Sequence, residues 1–385
     1  MSEPVQDTVS QVDVQIWAVA TGGGHRRVAE AVRAALLEQS GGELRVAIDD
    51  PLAAGSLPHA RWLLLSYGPL VRTWPRLWGL LFRTFAIPVM RRSLESFLLS
   101  GIGRPMERLT RQRQPRVVVN CHPLLGPGAL RAATALTRPA PLVTVVTDLT
   151  VVHPGWLSPA TATFLTPSAV ASGWCVSQGV AAERIFETGL PIDPHIGAMS
   201  ELKDARAAHR LELGLSADRM CVLVGGGGEG AGKLRPGLSA LVASGLPLQL
   251  VVLCGRNKHL LRWLQALPTQ VPVFALPYIQ DATQWLLAAD VYVGKAGPST
   301  LAEAAAAGLA ILVTDSLPGQ ERVNERLLVD AGAAISIRDG AELVSTTARL
   351  CDPTDQLRGS LQARARAWAR PRAAQLAAAK IASLL

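Results

Sequence analysis

The hydrophobic positions of this chain fall into short continuous runs separated by longer amphipathic stretches. In the amino-terminal half, runs rich in Val and Leu occupy residues 14–20, 116–120 and 142–147. Runs of this kind, with no polar residue at alternate positions, are typical of parallel strands buried on both faces. Between the first two runs, residues 26–39 repeat apolar side chains every three or four positions and therefore predict a helix.

The carboxyl-terminal half repeats the pattern. Five further strands are predicted at 221–224, 248–254, 273–276, 291–294 and 310–314. Helical stretches such as 281–289 and 300–307 lie between them, and this alternation predicts doubly wound parallel sheets.

A proline-containing linker at 191–194 divides the two halves. The prediction is therefore an α/β protein of two Rossmann-like, doubly wound parallel-sheet domains, residues 1–194 and 195–356. Residues 357–385, rich in Arg and Ala, predict C-terminal helices interrupted at Pro371.

Residues 57–100 do not follow the pattern of the rest. Leu is interleaved there with aromatic residues and arginines: Trp62, Tyr67, Trp74, Trp78, Phe82, Phe85, Arg61, Arg72, Arg76, Arg83, Arg91 and Arg92. Amphipathic segments of this composition lie in the membrane interface. The same pattern also fits a helical insertion packed on its own domain with snorkelling arginines, and Pro75 predicts a break within it.

Positive charge is concentrated in one region. The chain has a formal net charge of +8, and residues 61–138 contain 13 Arg and no Lys against two acids, Glu95 and Glu107. A basic face of this kind serves nucleic acid, an anionic membrane or an acidic substrate. No nucleic-acid-binding motif accompanies the charge, so no nucleic acid partner is expected.

Two features bear on the cellular compartment. The five cysteines form no C-x-x-C pair and read as buried thiols in a reducing compartment. Residues 1–13 are polar and lack a charged-then-apolar leader, and the apolar stretches are broken before the roughly 18 residues that a spanning helix needs. We therefore expect a cytoplasmic protein that does not cross the membrane.

Glycine-rich turns follow three of the predicted strands. They read T-G-G-G-H at 21–25, G-G-G-G-E-G at 225–230 and K-A-G-P at 295–298, the last followed by Ser299 as predicted N-cap of the next helix. Helix N-termini at the carboxyl edge of a parallel sheet bind phosphate. His25, His122, Asp148 and His153 follow strands at the same edge and are expected to converge. No residues have metal-ligand spacing, so no metal is expected.

Three polar residues allow two interpretations each. Glu303, inside a run of alanines, either accepts hydrogen bonds from ribose hydroxyls or is an ordinary acid favoured by the helix dipole. Gln320 and Glu321 either read sugar hydroxyls or are ordinary helix-start residues. The residues alone leave both interpretations open.

The spacing K-A-G-P-x-T-x-x-E-A-x-x-x-G at 295–308, followed by P-G-Q-E and Asn324, resembles the donor-nucleotide signature of one glycosyltransferase family. This is the monogalactosyldiacylglycerol synthase branch of the GT-B glycosyltransferases, a superfamily that also contains the lipid II N-acetylglucosaminyltransferase. Six further motifs match in order: T-G-G-G-H-R at 21–26, V-V-T-D-L at 145–149, H-P-G-W at 153–156, G-L-P-I at 189–192, G-G-G-G-E-G at 225–230 and C-G-R-N-K at 254–258.

The resemblance implies a GT-B fold with two domains facing across a cleft, and the inverting transfer of galactose or glucose from a UDP-sugar to the hydroxyl of 1,2-diacylglycerol. It further implies an enzyme peripheral on the anionic inner face of the cell membrane, whose last helix crosses back to the first domain. The sequence shows no plastid-type leader, so a bacterial enzyme is the simpler expectation. No metal is required if helix N-termini and backbone N–H groups neutralise the diphosphate. His25 and Asp148 are the two candidate bases, and His25 is favoured because a histidine has an unperturbed pKa near 6.5.

The resemblance also implies the remaining site residues. The expected donor-site residues are Gly226, Gly227, Gly228, Glu229, Gly230, Lys295, Ala296, Gly297, Ser299 and Thr300 around the diphosphate, Arg256 near it, Glu303 at the ribose, Leu276 and Tyr278 at the uracil, and Gln320, Glu321 and Asn324 at the hexose. The expected acceptor and lipid residues are Gly23, Gly24, His122, His153, Trp156, Trp62, Trp74, Trp78, Arg72, Arg76 and Arg83.

Three other functions fit parts of the pattern. One is an N-acetylglucosaminyltransferase acting on a polyprenyl-diphosphate lipid, and another is a non-hydrolysing UDP-sugar epimerase on the same fold. The third is a membrane-binding module without activity. The aromatic and arginine-rich segment, with the motifs at 145–149 and 153–156, favours diacylglycerol as acceptor.

Overall fold

The computed structural model describes residues 10–19, 23–157, 162–200, 205–228, 230, 234–318 and 321–385. The described residues form two sheets of six strands each, and every neighbouring pair of strands is parallel. The predicted α/β class with two parallel-sheet domains is thus confirmed.

The first sheet belongs to the amino-terminal half. Its strands are β1 (Val14–Trp17), β2 (Val46–Asp49), β3 (Val117–Asn120), β4 (Leu142–Val145), β5 (Thr163–Thr166) and β6 (Ile185–Glu187). Their order is β2-β1-β3-β4-β5-β6, so the chain reverses its direction of winding between β1 and β3. Loops that leave the carboxyl ends of strands at such a reversal form the ligand-binding crevice of open α/β sheets.

The second sheet has the same architecture. Its strands are β7 (Met220–Gly225), β8 (Leu248–Leu253), β9 (Val273–Leu276), β10 (Val291–Lys295), β11 (Ala310–Asp315) and β12 (Ala334–Ser336). The order β12-β11-β10-β7-β8-β9 places the reversal between β7 and β10. The glycine-rich turns at 225–230 and 295–298 leave these two strands.

Helices cover both sheets. Those of the first half are α1 (Gly24–Gln39), α2 (Pro58–Thr73), α3 (Pro75–Thr84), α4 (Pro88–Arg113), α5 (Gly126–Thr134), α6 (Ala169–Ser177) and α7 (Pro194–Ser200). Those of the second half are α8 (Ala205–Glu212), α9 (Leu234–Val242), α10 (Lys258–Ala266), α11 (Thr283–Ala288), α12 (Pro298–Ala306), α13 (Glu321–Asp330), α14 (Gly340–Cys351), α15 (Leu357–Trp368) and α16 (Ala373–Ala382). Short 3-10 helices lie at Pro154–Leu157 and Ala182–Arg184.

The aromatic and arginine-rich segment folds as α2, α3 and the start of α4. Each of the three helices begins with a proline at its first turn, and α2 ends at Thr73, so the break predicted at Pro75 is confirmed. Ten of the sixteen exposed large hydrophobic residues among those described lie between residues 57 and 97. In α3 only Gly79 is buried, and a Cβ added there would lie 2.6 Å from Pro318 Cβ of the second half. The segment therefore contacts both halves while exposing many of its apolar side chains.

The last helix returns to the first domain. The buried face of α16, which includes Ala374, Ala377 and Ile381, packs on α1. Gln39 Nε2 donates a hydrogen bond to the backbone oxygen of Gln375 at 2.8 Å. The helix that follows the first glycine-rich turn is thus held in place by residues near position 380.

Two local predictions were incomplete or wrong. β2, β5, β6 and β12 were not predicted, and none of them is buried along its whole length as β1, β3 and β4 are. Ser299 is not the N-cap of α12. Gly297 holds that position and Pro298 is the first helical residue, because proline has a backbone angle already suited to the first turn.

Candidate active site

A polar cleft lies between the carboxyl edges of the two sheets. It has a volume of about 350 Å³ and is lined from the first domain by Gly23, Gly24, His25, Arg26, Arg27, Glu30, Tyr67 and Thr147. The second domain contributes Gly225, Gly227, Gly228, Gly255, Pro277, Tyr278, Lys295, Gly297, Ser299, Thr300, Glu303 and Glu321, among others. The cleft is therefore built from the loops at the two reversals of strand order, as expected for a ligand site in this fold.

Glycines let the backbone of the two domains come close at this cleft. Gly23 has a φ of 80°, and a Cβ added there would lie 3.9 Å from Gly228 Cα. A Cβ added at Gly24 would lie 3.3 Å from Ser299 Oγ. Gly23 and Gly24, which were expected at the acceptor, thus line the polar cleft beside the second domain.

The loop after β7 rests on the loop after β8. Arg256 N–H donates to Gly228 O at 3.0 Å, and Asn257 Nδ2 donates to Gly230 O at 3.1 Å. A side chain at Gly230, whose φ is 58°, would overlap the Cys254 carbonyl. Gly227 and Gly228 line the cleft, whereas Gly226 and Gly230 do not. Glu229 lies outside the described residues.

The N-terminal turn of α12 forms the opposite wall. The first-turn N–H groups of a helix have no intrahelical partner, and the helix dipole adds positive potential, so Ser299 and Thr300 offer N–H donors to an anion. Pro298 has no N–H, and the Gly297 N–H donates to the Lys295 carbonyl at 2.9 Å. Glu303, one turn further on, is only 3% exposed. Its carboxylate pairs with Arg27 of α1 across the cleft, with Nη2 and Oε1 3.0 Å apart. Burial raises the pKa of Glu303, and the charge of Arg27 opposes that shift.

A second buried ion pair joins Lys295 to Glu321. Glu321 also accepts the Leu317 N–H at 2.9 Å, so both carboxylate oxygens have a partner. Burial acts to lower the pKa of Lys295, but the Glu321 carboxylate outweighs it and the pKa rises. Lys295 therefore remains charged in the cleft.

The other predicted hexose residues differ in position. Asn324 Nδ2 donates to the Ala296 carbonyl at 3.3 Å, and Asn324 Oδ1 accepts from Thr150 Oγ1 at 3.4 Å. Asn324 and Ala296 are thus engaged with each other and with the first domain. Gln320 lies outside the described residues.

The predicted uracil wall is partly at the cleft. Pro277 and Tyr278 line it, and the Arg256 guanidinium lies over the Tyr278 ring, 4.4 Å from its centroid. Leu276 packs against the core instead of lining the cleft. Arg256 therefore acts through Tyr278, as a cation stacked on its face.

A larger, mostly apolar cavity opens under the α2–α3 segment. It has a volume of about 1070 Å³, and its walls include Trp62, Leu64, Leu70, Trp74, Leu77, Trp78, Leu81, Phe82 and Phe85. Polar groups gather at one end of it: His25, His122, Asp148 and His153. His25 and Tyr67 line both this cavity and the polar cleft. The two spaces therefore meet at these two side chains.

The four polar residues were expected to converge, and they lie together. The His25 and His122 rings meet edge to face with centroids 4.6 Å apart. His25 Nδ1 is 3.2 Å from Thr147 Oγ1, which orients the ring. His153 Nδ1 accepts from Gly155 N–H at 3.1 Å, so its Nε2 carries the proton and donates to Phe82 O of α3 at 3.3 Å.

Trp156 does not contact the apolar cavity. It is fully buried, and its indole Nε1 donates to Asp148 Oδ2 at 2.9 Å, beside the His153 N–H at 2.9 Å. The expected acceptor role of Trp156 is therefore replaced by a structural one, in which it holds the Asp148 carboxylate.

Burial shifts the pKa values of the three histidines and of Asp148 in opposite directions. It lowers the pKa of His25 to about 4 and that of His153 to about 4, and it lowers the pKa of His122 with help from the charge of His25. Burial raises the pKa of Asp148 to about 6, although its two hydrogen bonds act to lower it. At neutral pH the site therefore holds neutral imidazoles beside an ionised carboxylate.

The raised pKa of Asp148 predicts a cost to stability. The protonated acid is favoured in the folded chain, so folded-state stability falls as pH rises between about 4 and 6, by about 3 kcal/mol in all. We expect Asp148→Asn to raise the melting temperature at pH 8 and to match the wild type near pH 4, as measured by scanning calorimetry.

A matched variant at Asp13 should change the stability of the protein in the opposite direction. Burial acts to raise the pKa of Asp13, but hydrogen bonds from Arg45 outweigh it and the pKa is lowered. Asp13→Asn should therefore destabilise the protein at neutral pH. An Asp148→Asn effect that does not change between pH 4 and pH 8 would contradict the account of Asp148.

Trp62 and Trp74 form the outer rim of the apolar cavity, with exposed fractions of 72% and 65%. Trp78 lies deeper and packs on Tyr67 with ring centroids 5.0 Å apart. Arg72, Arg76 and Arg83 are exposed on the same segment. In the part of the chain that is described, no three His, Cys, Asp or Glu side chains are grouped to hold a metal ion, and no helix is long and apolar enough to span a membrane.

Sequence reasoning missed Arg27 and Tyr67 as cleft residues. Arg27 follows the T-G-G-G-H-R motif by one position, and Tyr67 belongs to the aromatic segment. Their positions beside the glycine motif and within the aromatic segment were a signal in the sequence. The residues of the second domain that line the same cleft are visible only in the fold.

Two family models match this chain, one in each half. A family model described as monogalactosyldiacylglycerol (MGDG) synthase matches residues 25–192, and one described as glycosyltransferase family 28 C-terminal domain matches residues 221–380. The "Probable monogalactosyldiacylglycerol synthase 3, chloroplastic" of Oryza sativa subsp. japonica is 32% identical over 352 residues, which cover 88% of this chain and 68% of that protein. The "Probable monogalactosyldiacylglycerol synthase, chloroplastic" of Glycine max is 31% identical over 84% of this chain. That match spans 63% of the Glycine max protein, less than two thirds of its length.

Solved structures show the same fold. The UDP-GlcNAc 2-epimerase of Neisseria meningitidis bound to UDP-GlcNAc is similar with a TM-score of 0.62 and 14% identity, over 96% of this chain and 98% of that one. MurG of Acinetobacter baumannii is similar with a TM-score of 0.56 and 17% identity, over 96% and 99%. These likenesses show the two-domain GT-B fold. Since the relatives and family models agree, the chain belongs to the monogalactosyldiacylglycerol synthase family.

Proposed function

We propose that the protein is an inverting glycosyltransferase that moves a hexose from a UDP-sugar to the hydroxyl of 1,2-diacylglycerol. The observation that carries the proposal is the position of His25 in the wall shared by the polar cleft and the apolar cavity. A transferase that joins a nucleotide-sugar to a lipid alcohol needs a base at such a junction. The family named by the curated relatives supports the same substrates.

The polar cleft is suited to the nucleotide part of the donor. Backbone N–H groups of the loop after β7 and of the first turn of α12 would hold the diphosphate, and Tyr278 would flank the uracil. Glu303 would accept hydrogen bonds from the ribose hydroxyls, and Glu321 lies where the hexose would follow. The backbone N–H groups and the dipole of α12 would offset the charge of the diphosphate, so we propose a reaction without a metal cofactor.

The apolar cavity is suited to a lipid acceptor. Its volume of about 1070 Å³ is at the upper end of ordinary ligand pockets, about 300–1,000 Å³. Leu, Trp and Phe dominate its walls, and its three histidines and Asp148 lie together at the end beside the cleft. A molecule with acyl chains and one terminal hydroxyl matches this distribution of polarity.

In the proposed reaction His25 removes the proton from the acceptor hydroxyl. The oxygen attacks the anomeric carbon from the face opposite the diphosphate, the bond between that carbon and the phosphate oxygen breaks, and UDP leaves with inversion. Burial alone gives His25 a pKa of about 4, but a diphosphate bound nearby favours the protonated imidazole and raises that pKa. The Asp148 carboxylate, fixed by Trp156, would orient the acceptor hydroxyl.

We also propose that α2 and α3 bind an anionic membrane, which would place the protein on the inner face of the cell membrane. Exposed Trp62, Trp74 and Leu80 would enter the interface, and Arg72, Arg76 and Arg83 would meet lipid phosphates. The charges add roughly 1 kcal/mol each near an anionic surface.

Replacing both exposed tryptophans tests this surface. We expect Trp62→Ser with Trp74→Ser to reduce sedimentation with vesicles that contain anionic lipid by at least about tenfold, because each large aromatic buries apolar area in the interface. Leu211→Ser, at an exposed leucine of the second domain, is the control and should bind as the wild type does. Equal binding by the double variant would place the membrane contact elsewhere.

The function itself is tested by a defined assay. Purified protein is incubated with anionic vesicles that contain either diacylglycerol or a polyprenyl-diphosphate lipid. Each acceptor is tested in separate reactions with UDP-galactose, UDP-glucose and UDP-N-acetylglucosamine. A glycosylated diacylglycerol with β configuration from one of the two hexoses is the expected product. Transfer only to a polyprenyl-diphosphate lipid, or conversion of the free UDP-sugar without a lipid product, would overturn the proposal.

A further inference from the structure

Three ion pairs formed by described residues line the polar cleft. Arg26 pairs with Glu30 within α1 at 3.0 Å, Lys295 pairs with Glu321 within the second domain, and Arg27 pairs with Glu303 at 3.0 Å. Of these pairs, Arg27–Glu303 is the one that joins the two domains. Each cation is thus matched by a carboxylate before any ligand is bound.

This balance creates a problem for an anionic ligand. A nucleoside diphosphate brings negative charge into a cleft whose cations are already paired, and excess buried charge is costly. Binding is favourable only if a cation turns toward the phosphates and its carboxylate gains another partner. Such an exchange requires a cation that can move and a carboxylate that stays in place in the cleft.

The Lys295–Glu321 pair is held in place. Its two side chains are 15% and 3% exposed, and the other Glu321 oxygen is bonded to Leu317 N–H. Arg26–Glu30 is a half-buried pair one turn apart on the same helix, with side chains 35% and 38% exposed, so its carboxylate is not sequestered in the cleft as Glu303 is. By contrast, the Arg27 side chain is 32% exposed while the Glu303 side chain is 4% exposed, so the guanidinium can move and the carboxylate cannot.

We infer that Arg27 is a further catalytic residue, which moves from Glu303 to the diphosphate when the donor binds. This inference rests on the proposed function, in which the ribose hydroxyls become the new partners of Glu303. The planar guanidinium can bind two phosphate oxygens at once, which a lysine ammonium does not do. In the transition state Arg27 then stabilises the charge that develops on the departing diphosphate.

A series of nucleotides separates this role from a structural one. Binding of UDP, UMP and uridine to the full chain is measured by calorimetry for the wild type, Arg27→Gln and Arg27→Lys. We expect Arg27→Gln to weaken UDP binding roughly 10- to 100-fold and to leave uridine binding unchanged or tighter, because a charged hydrogen bond is lost and Glu303 is freed for the ribose. Arg27→Lys should recover part of the UDP affinity, and kcat should fall in both variants.

Arg33→Gln is the matched control, since Arg33 lies exposed on the same helix and binds the Val46 carbonyl at 3.2 Å. It should bind all three ligands as the wild type does. If Arg27→Gln lost affinity for UDP and for uridine equally, Arg27 would only hold Glu303 in place. If it lost no affinity for UDP, Arg27 would have no role in diphosphate binding. Either result overturns the inference. Failure of the wild type to bind UDP would instead overturn the proposed function.

Discussion

Replacement of His25 by Gln is expected to lower kcat by about 10²- to 10⁴-fold, the usual contribution of a general base. The amide keeps a polar group of similar size beside Thr147 and His122, but it cannot take the acceptor proton. Because the base acts only in the transition state, the affinity for UDP should not change. Initial rates with saturating vesicles give kcat, and calorimetry gives the UDP dissociation constant.

A control variant at His195 and the other candidate base, Asp148, are tested in the same assays. His195→Gln, at an exposed histidine far along the chain, should keep the wild-type rate. The pKa of about 6 at Asp148 predicts that kcat/KM of the wild type falls as pH drops below about 6, since the protonated acid is a weaker hydrogen-bond acceptor for the acceptor hydroxyl than the carboxylate. This acid limb should be absent in Asp148→Asn. A near-normal kcat in His25→Gln, with a large loss in Asp148→Asn, would assign the base to Asp148.

The second large effect is expected at Glu303. Glu303→Ala removes both acceptors from the proposed ribose seat, so UDP should bind roughly 10- to 100-fold more weakly. The variant also releases Arg27, which would favour an anion, so a loss of affinity cannot come from loss of positive charge. Calorimetry with UDP and with 2′,3′-dideoxy-UDP, which lacks both ribose hydroxyls, tests whether Glu303 recognises those hydroxyls.

The wild type should prefer UDP to its dideoxy analogue, and Glu303→Ala should bind the two alike. Glu38→Ala, at an exposed acid of α1, is the control and should keep the preference. If Glu303→Ala still distinguished the two nucleotides, the ribose would be recognised elsewhere and Glu303 would serve only to anchor Arg27.

The general position of the cleft follows from the sequence because it depends on short-range patterns. Runs of Val and Leu identify the central strands, and the glycines that follow β1, β7 and β10 identify the turns at the two reversals. Since parallel strands present their carboxyl ends on one edge, the convergence of His25, His122 and Asp148 could be predicted. No strand order needed to be known for this step.

Long-range partners could not be predicted in this way. Arg27 looks like an ordinary first-turn arginine until the second domain brings Glu303 to it. Trp156 follows a motif expected at the acceptor, but packing buries it beneath Asp148. Asn324 has the polarity of a sugar-binding residue, yet the Ala296 carbonyl occupies its amide. Each outcome depends on which side chains compete for the same neighbour, and spacing along the chain does not record that competition.

The contact of α16 with α1 has a consequence for biosynthesis. Domains generally fold as units while the chain leaves the ribosome, the first domain before the second. Here the helix that carries His25 and Arg27 lacks part of its apolar cover until residues 373–382 have been translated. The amino-terminal domain therefore completes its packing last, and the reacting groups are fixed in position only after residues 373–382 have left the ribosome.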